Sequence, residues 1–311
     1  MNNGESVVAG IDVGGTNLRL ALVAENGNVI ERLKMPTGGN RAAFISQLSE
    51  NILLLSDKAV ALNAGMLGVG IGMPGLISPS GEIFSSVNLS YCEGLNLATE
   101  LQSLTGLPVV TVNDANAAAF GEYRFGAGRS LRTFIMITIG TGIGGGIILD
   151  GRLWSGADGF AGEFGHLTVV PGGRGCPCGN NGCVERYASA TAILATAREQ
   201  GMLSSPDASV ETLAAMSAAG DLMATKLFED AGRYLGSAAA AAVNLLNPEA
   251  IIIGGGVAAS FGIMREAMST ELCLRAYRPS VARLKILRGD LHDDAGVLGA
   301  AAVAFDRYGT F

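Results

Sequence analysis

The chain has 311 residues and a net charge of −7, and 49% of its residues are hydrophobic against 16% that are charged. This composition supplies the core of one large domain or two medium ones. The acidic balance argues against a nucleic-acid partner, which would need a basic stripe. The longest run of small apolar residues, Ala238 to Leu246, is too short to cross a bilayer, which takes about 20 residues. The first residues show no signal segment, so we expect a cytoplasmic protein with no membrane partner.

The first third of the chain predicts strands that alternate with helices. Apolar runs over residues 7–13, 18–24 and 29–35 predict an antiparallel meander whose first turn is rich in glycine. Apolar spacing and turn residues then predict, in order, a helix over 41–62, a strand over 67–71, a short helix over 97–105, a strand over 109–112 and a helix from Asp114 to Phe125.

The opening pattern recurs in the second half. A strand over 134–139 meets a glycine-rich turn and resumes over 147–149, followed by predicted helices over 184–200 and 221–247, a strand over 250–253 and a last helix near Asp294. Two halves with the same strand–turn–strand opening predict a duplicated αβ unit with a cleft between the copies. We expect a smaller domain over 1–115, completed by the helix at about 294–311, and a larger domain over 116–293.

Three glycine clusters are candidate phosphate-binding segments. The first, Asp12-Val13-Gly14-Gly15-Thr16, can point backbone N–H groups at an anion, with Thr16 as a further donor and Asp12 as a ligand of Mg²⁺ through water. By itself this segment is equally consistent with a plain hairpin turn. The second cluster spans residues 140–146 and the third spans 254–256, directly after a predicted buried strand. None has the form of a Walker loop or of a dinucleotide-binding turn.

Asp114 is a candidate general base. It follows a predicted strand and Asn113, and it precedes a run of small residues that leaves space beside its carboxylate. As a lone motif, Asn113-Asp114 is also consistent with an ordinary helix cap. Candidate phosphate-binding segments on both sides in the sequence favour the catalytic interpretation, since a general base must reach the proton that it removes.

Three of the five cysteines cluster within eight residues, at Cys176, Cys178 and Cys183. Clustered thiols in a reducing compartment are typical of metal ligands rather than of disulfides. His166 lies ten residues before Cys176 and supplies the fourth ligand that a closed tetrahedral zinc site needs. The other histidine, His292, is flanked by aspartates and is expected to be a solvated loop residue. A closed site cannot activate water, so the sequence predicts a structural zinc.

These motifs together resemble those of the ROK family of sugar kinases and sugar-responsive repressors. The shared segments are Asp-x-Gly-Gly-Thr-x-x-Arg from Asp12, Gly-Met-Pro-Gly ending at Gly75, the Val-Asn-Asp-Ala-Asn segment around Asp114, Gly-Thr-Gly-Ile-Gly-Gly-Gly from Gly140, and the histidine and cysteine segment from 162 to 185. The resemblance covers nearly the whole chain in the family's order. It implies an actin/hexokinase-like (ribonuclease H-like) fold with two αβ domains that close on sugar and ATP.

The resemblance also implies roles for single residues. Asp114 matches the catalytic base, and His166, Cys176, Cys178 and Cys183 match the zinc ligands. The residues that match sugar contacts are Gly75, Asn88, Asn113, Asp114, Glu163, His166 and Glu185. Those that match nucleotide contacts are Asp12, Gly14, Gly15, Thr16, Asn17, Arg19, Gly140, Thr141, Gly142, Gly254 and Gly255. The implied cofactors are ATP, Mg²⁺ and structural Zn²⁺, and the implied assembly is a homodimer or a tetramer.

The expected reaction is ATP-dependent phosphorylation of a hexose, with glucose as the expected substrate. The stretch Ser86-Val87-Asn88-Leu89 departs from the commonest sequence of the family's glucokinases at this place, although Asn88 is kept. The sequence therefore does not decide which sugar is preferred. Alternatives are a kinase for N-acetylmannosamine, N-acetylglucosamine, allose or fructose, and a donor such as polyphosphate or ADP. A sugar-sensing regulator is disfavoured because the first hairpin begins by Val7 and the charge is acidic. A zinc-ribbon module is disfavoured because no second cysteine pair follows.

Overall fold

The computed structural model describes residues 6–309, apart from the side chains of 258 and 259. Two compact units can be separated by their internal contacts. The first comprises Met1–Arg132, Gly146–Gly162 and Gly289–Phe311, and the second comprises Thr133–Gly145 and Glu163–Arg288. The predicted domain limits at 115 and 294 remain a prediction.

The strands of the described chain are, in order, β1 (Ser6–Val13), β2 (Asn17–Ala24), β3 (Val29–Pro36), β4 (Gly65–Met73), β5 (Leu76–Ile77), β6 (Ile83–Ser85), β7 (Val109–Asn113), β8 (Phe134–Ile139), β9 (Ile143–Leu149), β10 (Arg152–Leu153), β11 (Ala250–Gly254) and β12 (Lys285–Arg288). The helices are α1 (Arg41–Ala61), α2 (Leu97–Thr105), α3 (Asp114–Phe125), α4 (Glu185–Ala188), α5 (Ala190–Glu199), α6 (Val210–Ala218), α7 (Leu222–Leu246), α8 (Phe261–Arg275), α9 (Arg278–Val281) and α10 (Ala295–Tyr308).

The first sheet has the order β3-β2-β1-β4-β7. Its β1, β2 and β3 form the antiparallel meander, whereas β1, β4 and β7 run parallel. The register pairs Asp12 with Gly72, and Met73 with Asn113. Because parallel strands end at the same edge of a sheet, Asp12 and Asn113 lie at one edge, and Asp114 follows at the start of α3.

Glycines let α10 pack unusually close to this sheet and to α3. A Cβ added at Gly70 of β4 would lie 1.8 Å from the carbonyl oxygen of Ala300, and one added at Gly299 would lie 1.9 Å from that of Ala117. A side chain at either position would overlap backbone atoms, so the close approach depends on glycine. Val297, Leu298 and Phe305 of α10 are buried in the resulting core.

The second sheet has the order β10-β9-β8-β11-β12, and β8, β11 and β12 run parallel. In the second unit, the long helix α7 buries a stripe of apolar residues and packs against α8. Gly232 and Gly236 of α7 face the backbone of α8, where an added Cβ would lie 2.5 Å from the Met264 carbonyl oxygen and 2.4 Å from that of Met268. The β11 strand is buried throughout, as its continuous apolar sequence predicted.

Most predicted elements are confirmed within one or two residues at their ends, and two predictions are wrong. The strand predicted over 147–149 begins four residues earlier, at Ile143, so that three glycines of the predicted turn belong to β9. The predicted helix over 184–200 is two helices, because Ser189 has extended backbone with ψ of 161°. Its side chain accepts the N–H of Ala192 and so caps α5. The sequence analysis did not predict α6, α8 or β12. Among the described residues, no helix has both the length and the apolar content that a bilayer crossing requires.

Candidate active site and metal centre

In the first unit, one group of predicted site residues lies around Asp114. The side chain of Asn113 accepts the N–H of Asn116 at 3.0 Å and thereby caps α3, while its Nδ2 donates to the carbonyl of Gly75 at 3.0 Å. Asp114 Oδ1 accepts the N–H of Ala115 at 2.8 Å. The carboxylate therefore stands in the first turn of α3, where the helix dipole favours negative charge.

The segment that carries Asn88 is fastened to the same region. Gly75 has φ of +118°, a conformation that favours glycine. The buried Ser86 donates its hydroxyl to the carbonyl of Pro74 at 2.7 Å, and its N–H donates to Glu93 Oε1 at 3.1 Å. Asn88 lies beside the first glycine turn, since a Cβ added at Gly15 would be 3.2 Å from the Asn88 Cβ. The sequence analysis named Ser86 only as part of the stretch that departs from the family's glucokinases, and it assigned no role to Ser86 or Glu93, because nothing in their spacing indicates these hydrogen bonds.

The first glycine turn is tight. The N–H of Gly14 donates to the carbonyl of Asn17 at 2.9 Å, and Thr37 donates its hydroxyl to the carbonyl of Gly14 at 2.7 Å. Gly15, Thr16 and Asn17 are exposed, and the Thr16 hydroxyl accepts from the Asn17 amide at 3.0 Å. The turn therefore keeps exposed backbone and hydroxyl groups next to Asn88.

Asp12 and Arg19 face each other across the β1–β2 hairpin. Burial raises the pKa of Asp12, and the charge of Arg19 opposes that increase. Gly296 lets the start of α10 approach Asp12, because a Cβ there would lie 2.6 Å from the Asp12 carboxyl carbon. Arg19 donates to the carbonyl of Asp293 at 2.8 Å, so this predicted nucleotide contact also holds the segment that leads into α10.

In the second unit, two of the predicted nucleotide-binding segments come together. The turn after β8 is closed by the N–H of Gly140, which donates to the carbonyl of Gly142 at 2.9 Å. The start of α5 fixes this turn through the Thr191 hydroxyl, which donates to the carbonyl of Thr141 at 2.7 Å. After β11, Gly255 has φ of +84° and would place a Cβ 2.5 Å from the carbonyl oxygen of Ile139, the residue before Gly140.

Glu185 and Glu163 also lie in the second unit. Glu185 Oε2 accepts the N–H of Ile143 at 2.8 Å, so one oxygen of this predicted sugar contact is bound to the backbone directly after the second glycine turn. Glu163 Oε2 is 3.7 Å from Nε2 of His166. Partial burial raises the pKa of Glu163, His166 lowers it and Glu185 raises it. The Glu163 side chain is still 42% exposed, which leaves it accessible to a ligand.

The four predicted metal ligands converge. The ligand atoms of His166, Cys176, Cys178 and Cys183 all lie within 4.8 Å of one another. Cys176 Sγ is 3.6 Å from His166 Nδ1, and Cys178 Sγ is 3.6 Å from Cys183 Sγ. Zinc–sulfur bonds of about 2.3 Å in a tetrahedron separate two sulfurs by about 3.8 Å. Both the donor set and its spacing therefore fit a tetrahedral zinc ion.

Backbone pairing organises this cluster. Thr168 bridges to Cys183, and the N–H of Val184 donates to the carbonyl of Leu167 at 2.9 Å. The N–H of Gly179 donates to the carbonyl of Cys176 at 3.0 Å, which closes the turn that carries two of the cysteines. His166 presents Nδ1 to the sulfurs and Nε2 to Glu163. One imidazole thus links the cysteine cluster to a predicted sugar contact.

Comparisons with known proteins agree with this architecture. A glucokinase of Halalkalibacterium halodurans is 35% identical to the chain, over 93% of this chain and 92% of that protein. A crystal structure of a ROK family glucokinase from Streptomyces griseus, in complex with glucose and AMPPNP, is 32% identical with a TM-score of 0.80, over 96% of this chain and 99% of that one. A ROK family transcriptional regulator, described as a homolog of an E. coli protein, is 31% identical with a TM-score of 0.89, over 99% of this chain and 80% of that one.

The predicted actin/hexokinase-like fold class is confirmed, since the architecture is mixed α/β and the structural relatives include a ROK hexokinase and a ROK family glucokinase. A protein-family model described as "ROK family" matches residues 8–307 of the chain. With that match and relatives more than 30% identical along nearly the whole chain, the chain belongs to the ROK family.

Proposed function

We propose that the protein is a sugar kinase that transfers the γ-phosphoryl group of ATP to a hydroxyl of a hexose, with glucose as the favoured substrate. The observation that carries the proposal is the position of Asp114, in the first turn of α3 beyond the end of β7, with Asn113 tied to Gly75 beside it. The similarity to glucokinases supports both the reaction and the sugar.

In this reaction Asp114 accepts the proton of the attacking hydroxyl. The sugar oxygen forms the new bond to the γ-phosphorus, the bond to the bridging oxygen breaks, and ADP leaves. Such transfers depend mainly on positioning and on stabilisation of charge. A general base placed for this proton accounts for about 10²- to 10⁴-fold in rate.

The glycine turns are the proposed nucleotide contacts. Gly14 to Asn17 and Gly140 to Gly142 would offer backbone N–H groups and hydroxyls to the phosphates, and Gly254-Gly255 would leave room for the ribose or base. Asp12 would hold Mg²⁺ through water, and that ion would neutralise charge on the phosphates. Arg19, which donates to the carbonyl of Asp293, would also keep the first turn in place.

Glu163, Glu185, Asn88 and Asn113 are the proposed sugar contacts. Carboxylates accept hydrogen bonds from ring hydroxyls, and an epimer that leaves one unpaired would lose about 1–3 kcal/mol of binding. The cluster of His166 and the three cysteines would hold a structural zinc. That ion would fix the imidazole, whose Nε2 side faces Glu163, and so orient the sugar site without taking part in the chemistry.

The proposal is tested by ADP release over a panel of hexoses, N-acetylhexosamines and phosphoryl donors. We expect turnover with ATP and glucose, and Asp114→Asn should lower kcat by about 10²- to 10⁴-fold while glucose binding persists. Asp57→Asn, on an exposed face of α1, is the matched control and should be fully active. Sugar binding without ADP release from any pair of sugar and donor would favour a sugar-responsive regulator instead.

A homodimer also remains a prediction, which sedimentation would test.

A further inference from the structure

The turn of residues 140–142, between β8 and β9 in the second unit, is held by the start of α5. The N–H of Ala190 donates to the carbonyl of Gly140 at 2.9 Å, and the hydroxyl of Thr191 donates to the carbonyl of Thr141 at 2.7 Å. Two consecutive carbonyls of the turn therefore point towards α5. Of these two hydrogen bonds, the one from Thr191 is supplied by a side chain and so depends on the residue type.

These two hydrogen bonds also decide where the N–H groups of the turn point. In a trans peptide unit the C=O and the N–H lie in one plane and point in opposite directions. With the carbonyls of Gly140 and Thr141 towards α5, the N–H groups of Thr141 and Gly142 point away from it. In the part of the chain that the structure describes, neither of these N–H groups donates to another backbone group. Both are therefore available to an anion.

The peptide unit between Thr141 and Gly142 is the one that can turn over at least cost. Turning it over changes ψ of Thr141 and φ of Gly142, as between turns of type I and type II, and glycine accepts φ of either sign. A larger residue does not fit in place of Gly142, because a Cβ there would lie 2.4 Å from Glu185 Oε2. The glycine that makes room for Glu185 thus gives this peptide unit little preference of its own, and the Thr191 hydroxyl fixes its direction.

The helix α5 does not need the Thr191 hydroxyl for its own stability. Thr191 is exposed, and the side chain of Ser189 already caps the helix by accepting the N–H of Ala192 at 3.1 Å. A threonine in a helix often bonds to a carbonyl of its own preceding turn, whereas Thr191 donates out of the helix to Thr141. The hydroxyl therefore acts on the turn of residues 140–142.

We propose that Thr191 is a positioning residue for the nucleotide phosphates, because its hydroxyl aims the N–H groups of Thr141 and Gly142 at the phosphate oxygens of ATP. The inference rests on the proposed kinase function and adds to it a residue that touches neither substrate. Without the hydroxyl, the peptide unit between Thr141 and Gly142 can turn its carbonyl towards the phosphates, which repels them. The affinity for the nucleotide then falls, whereas the affinity for the sugar does not.

The test measures the binding of AMPPNP and of glucose to the full chain by isothermal titration calorimetry. Thr191→Val removes the hydroxyl at nearly constant shape, and Thr191→Ser keeps it. Thr270→Val makes the valine change on an exposed face of α8 and is the matched control. We expect Thr191→Val to raise Kd for AMPPNP and KM for ATP about three- to tenfold. Thr191→Ser and Thr270→Val should stay within about twofold of the wild type, and Kd for glucose should be unchanged in all three variants.

Thermal unfolding separates this role from a structural one. Thr191→Val should melt at the same temperature as Thr270→Val, because α5 keeps its cap. A lower melting temperature together with an equal loss of glucose affinity would overturn the inference.

The inference is also overturned if Thr191→Val binds AMPPNP as tightly as the wild type, or if Thr191→Ser binds it as weakly as Thr191→Val. Crystals grown with AMPPNP must show a phosphate oxygen on the N–H of Thr141 or Gly142, and its absence there would refute the role of Thr191. If the wild type binds AMPPNP and releases ADP, these failures concern Thr191 alone. If the wild type does neither, the proposed function fails as well.

Discussion

The buried carboxylate of Glu122 gives a quantitative test of how the first unit is held together. Glu122 lies in the last turn of α3 and has no exposed surface. Its Oε2 accepts the N–H of Ala127 at 2.8 Å and that of Asp290 at 3.1 Å, and its Oε1 accepts the N–H of Leu291 at 3.0 Å. One side chain thus fixes both the chain that leaves α3 and the chain that leads to α10.

The magnitude follows from these three bonds. Glu122→Ala leaves three N–H groups without an acceptor, and each costs about 1–3 kcal/mol when buried. Water that enters the vacated space recovers part of this loss, so we expect the free energy of unfolding of the first unit to fall by about 3 kcal/mol or more. Glu122→Gln keeps one oxygen but sets an NH₂ group against an N–H, so we expect a smaller loss of about 1–3 kcal/mol.

The assay is urea unfolding followed by the fluorescence of Trp154, which is the only tryptophan of the chain and belongs to the first unit. Glu50→Ala, on an exposed face of α1, is the control and should change the free energy by less than about 0.5 kcal/mol. The reasoning is refuted if Glu122→Ala matches that control, or if Glu122→Gln is the more destabilised of the two variants.

Two further predictions concern the second unit. Burial raises the pKa of Glu163 above its ordinary value of 4.5, so the accepting carboxylate is lost as the pH falls through that raised pKa, and KM for glucose should rise over the same pH range. Glu163→Gln should show a high KM that does not change with pH. Equal pH profiles of KM in the wild type and the variant would contradict this prediction. Elemental analysis of Cys183→Ala should show loss of bound zinc, and KM for glucose should rise about tenfold or more because His166 is no longer held. Cys273→Ala, at an exposed cysteine outside the cluster, is the control and should show neither effect. Zinc loss with an unchanged KM would exclude the proposed link between the metal and the sugar site.

The sequence predicted the elements whose signals are local. The meander of β1 to β3, the helix from Asp114 to Phe125 and the strand Phe134–Ile139 follow from runs of apolar residues closed by glycine or asparagine. The cluster of His166 and the three cysteines was also predictable, because three thiols within eight residues necessarily lie close together in space. The helix α8 was missed although Phe261, Met264, Met268 and Leu272 have helical spacing.

The remaining features depend on distant partners, which a sequence alone does not reveal. Glu122 bonds to backbone groups 168 and 169 residues away, and its position in α3 gives no sign of them. The close packing of Gly70 against Ala300 is equally non-local. The helix predicted over 184–200 is interrupted at Ser189, because the side chain of Ser189 caps the next helix. The apolar periodicity of residues 184–200 gives no sign of this interruption.

The two ends of the chain share one unit, and this has a consequence for biosynthesis. The face of β1 and β4 that carries Gly10 and Gly70 is covered by α10, which is translated only after the whole second unit. A ribosome-bound nascent chain would therefore display that apolar face until α10 emerges, whereas the second unit, residues 133–145 and 163–288, can fold before that point. We expect the growing polypeptide to engage chaperones through its earliest strands.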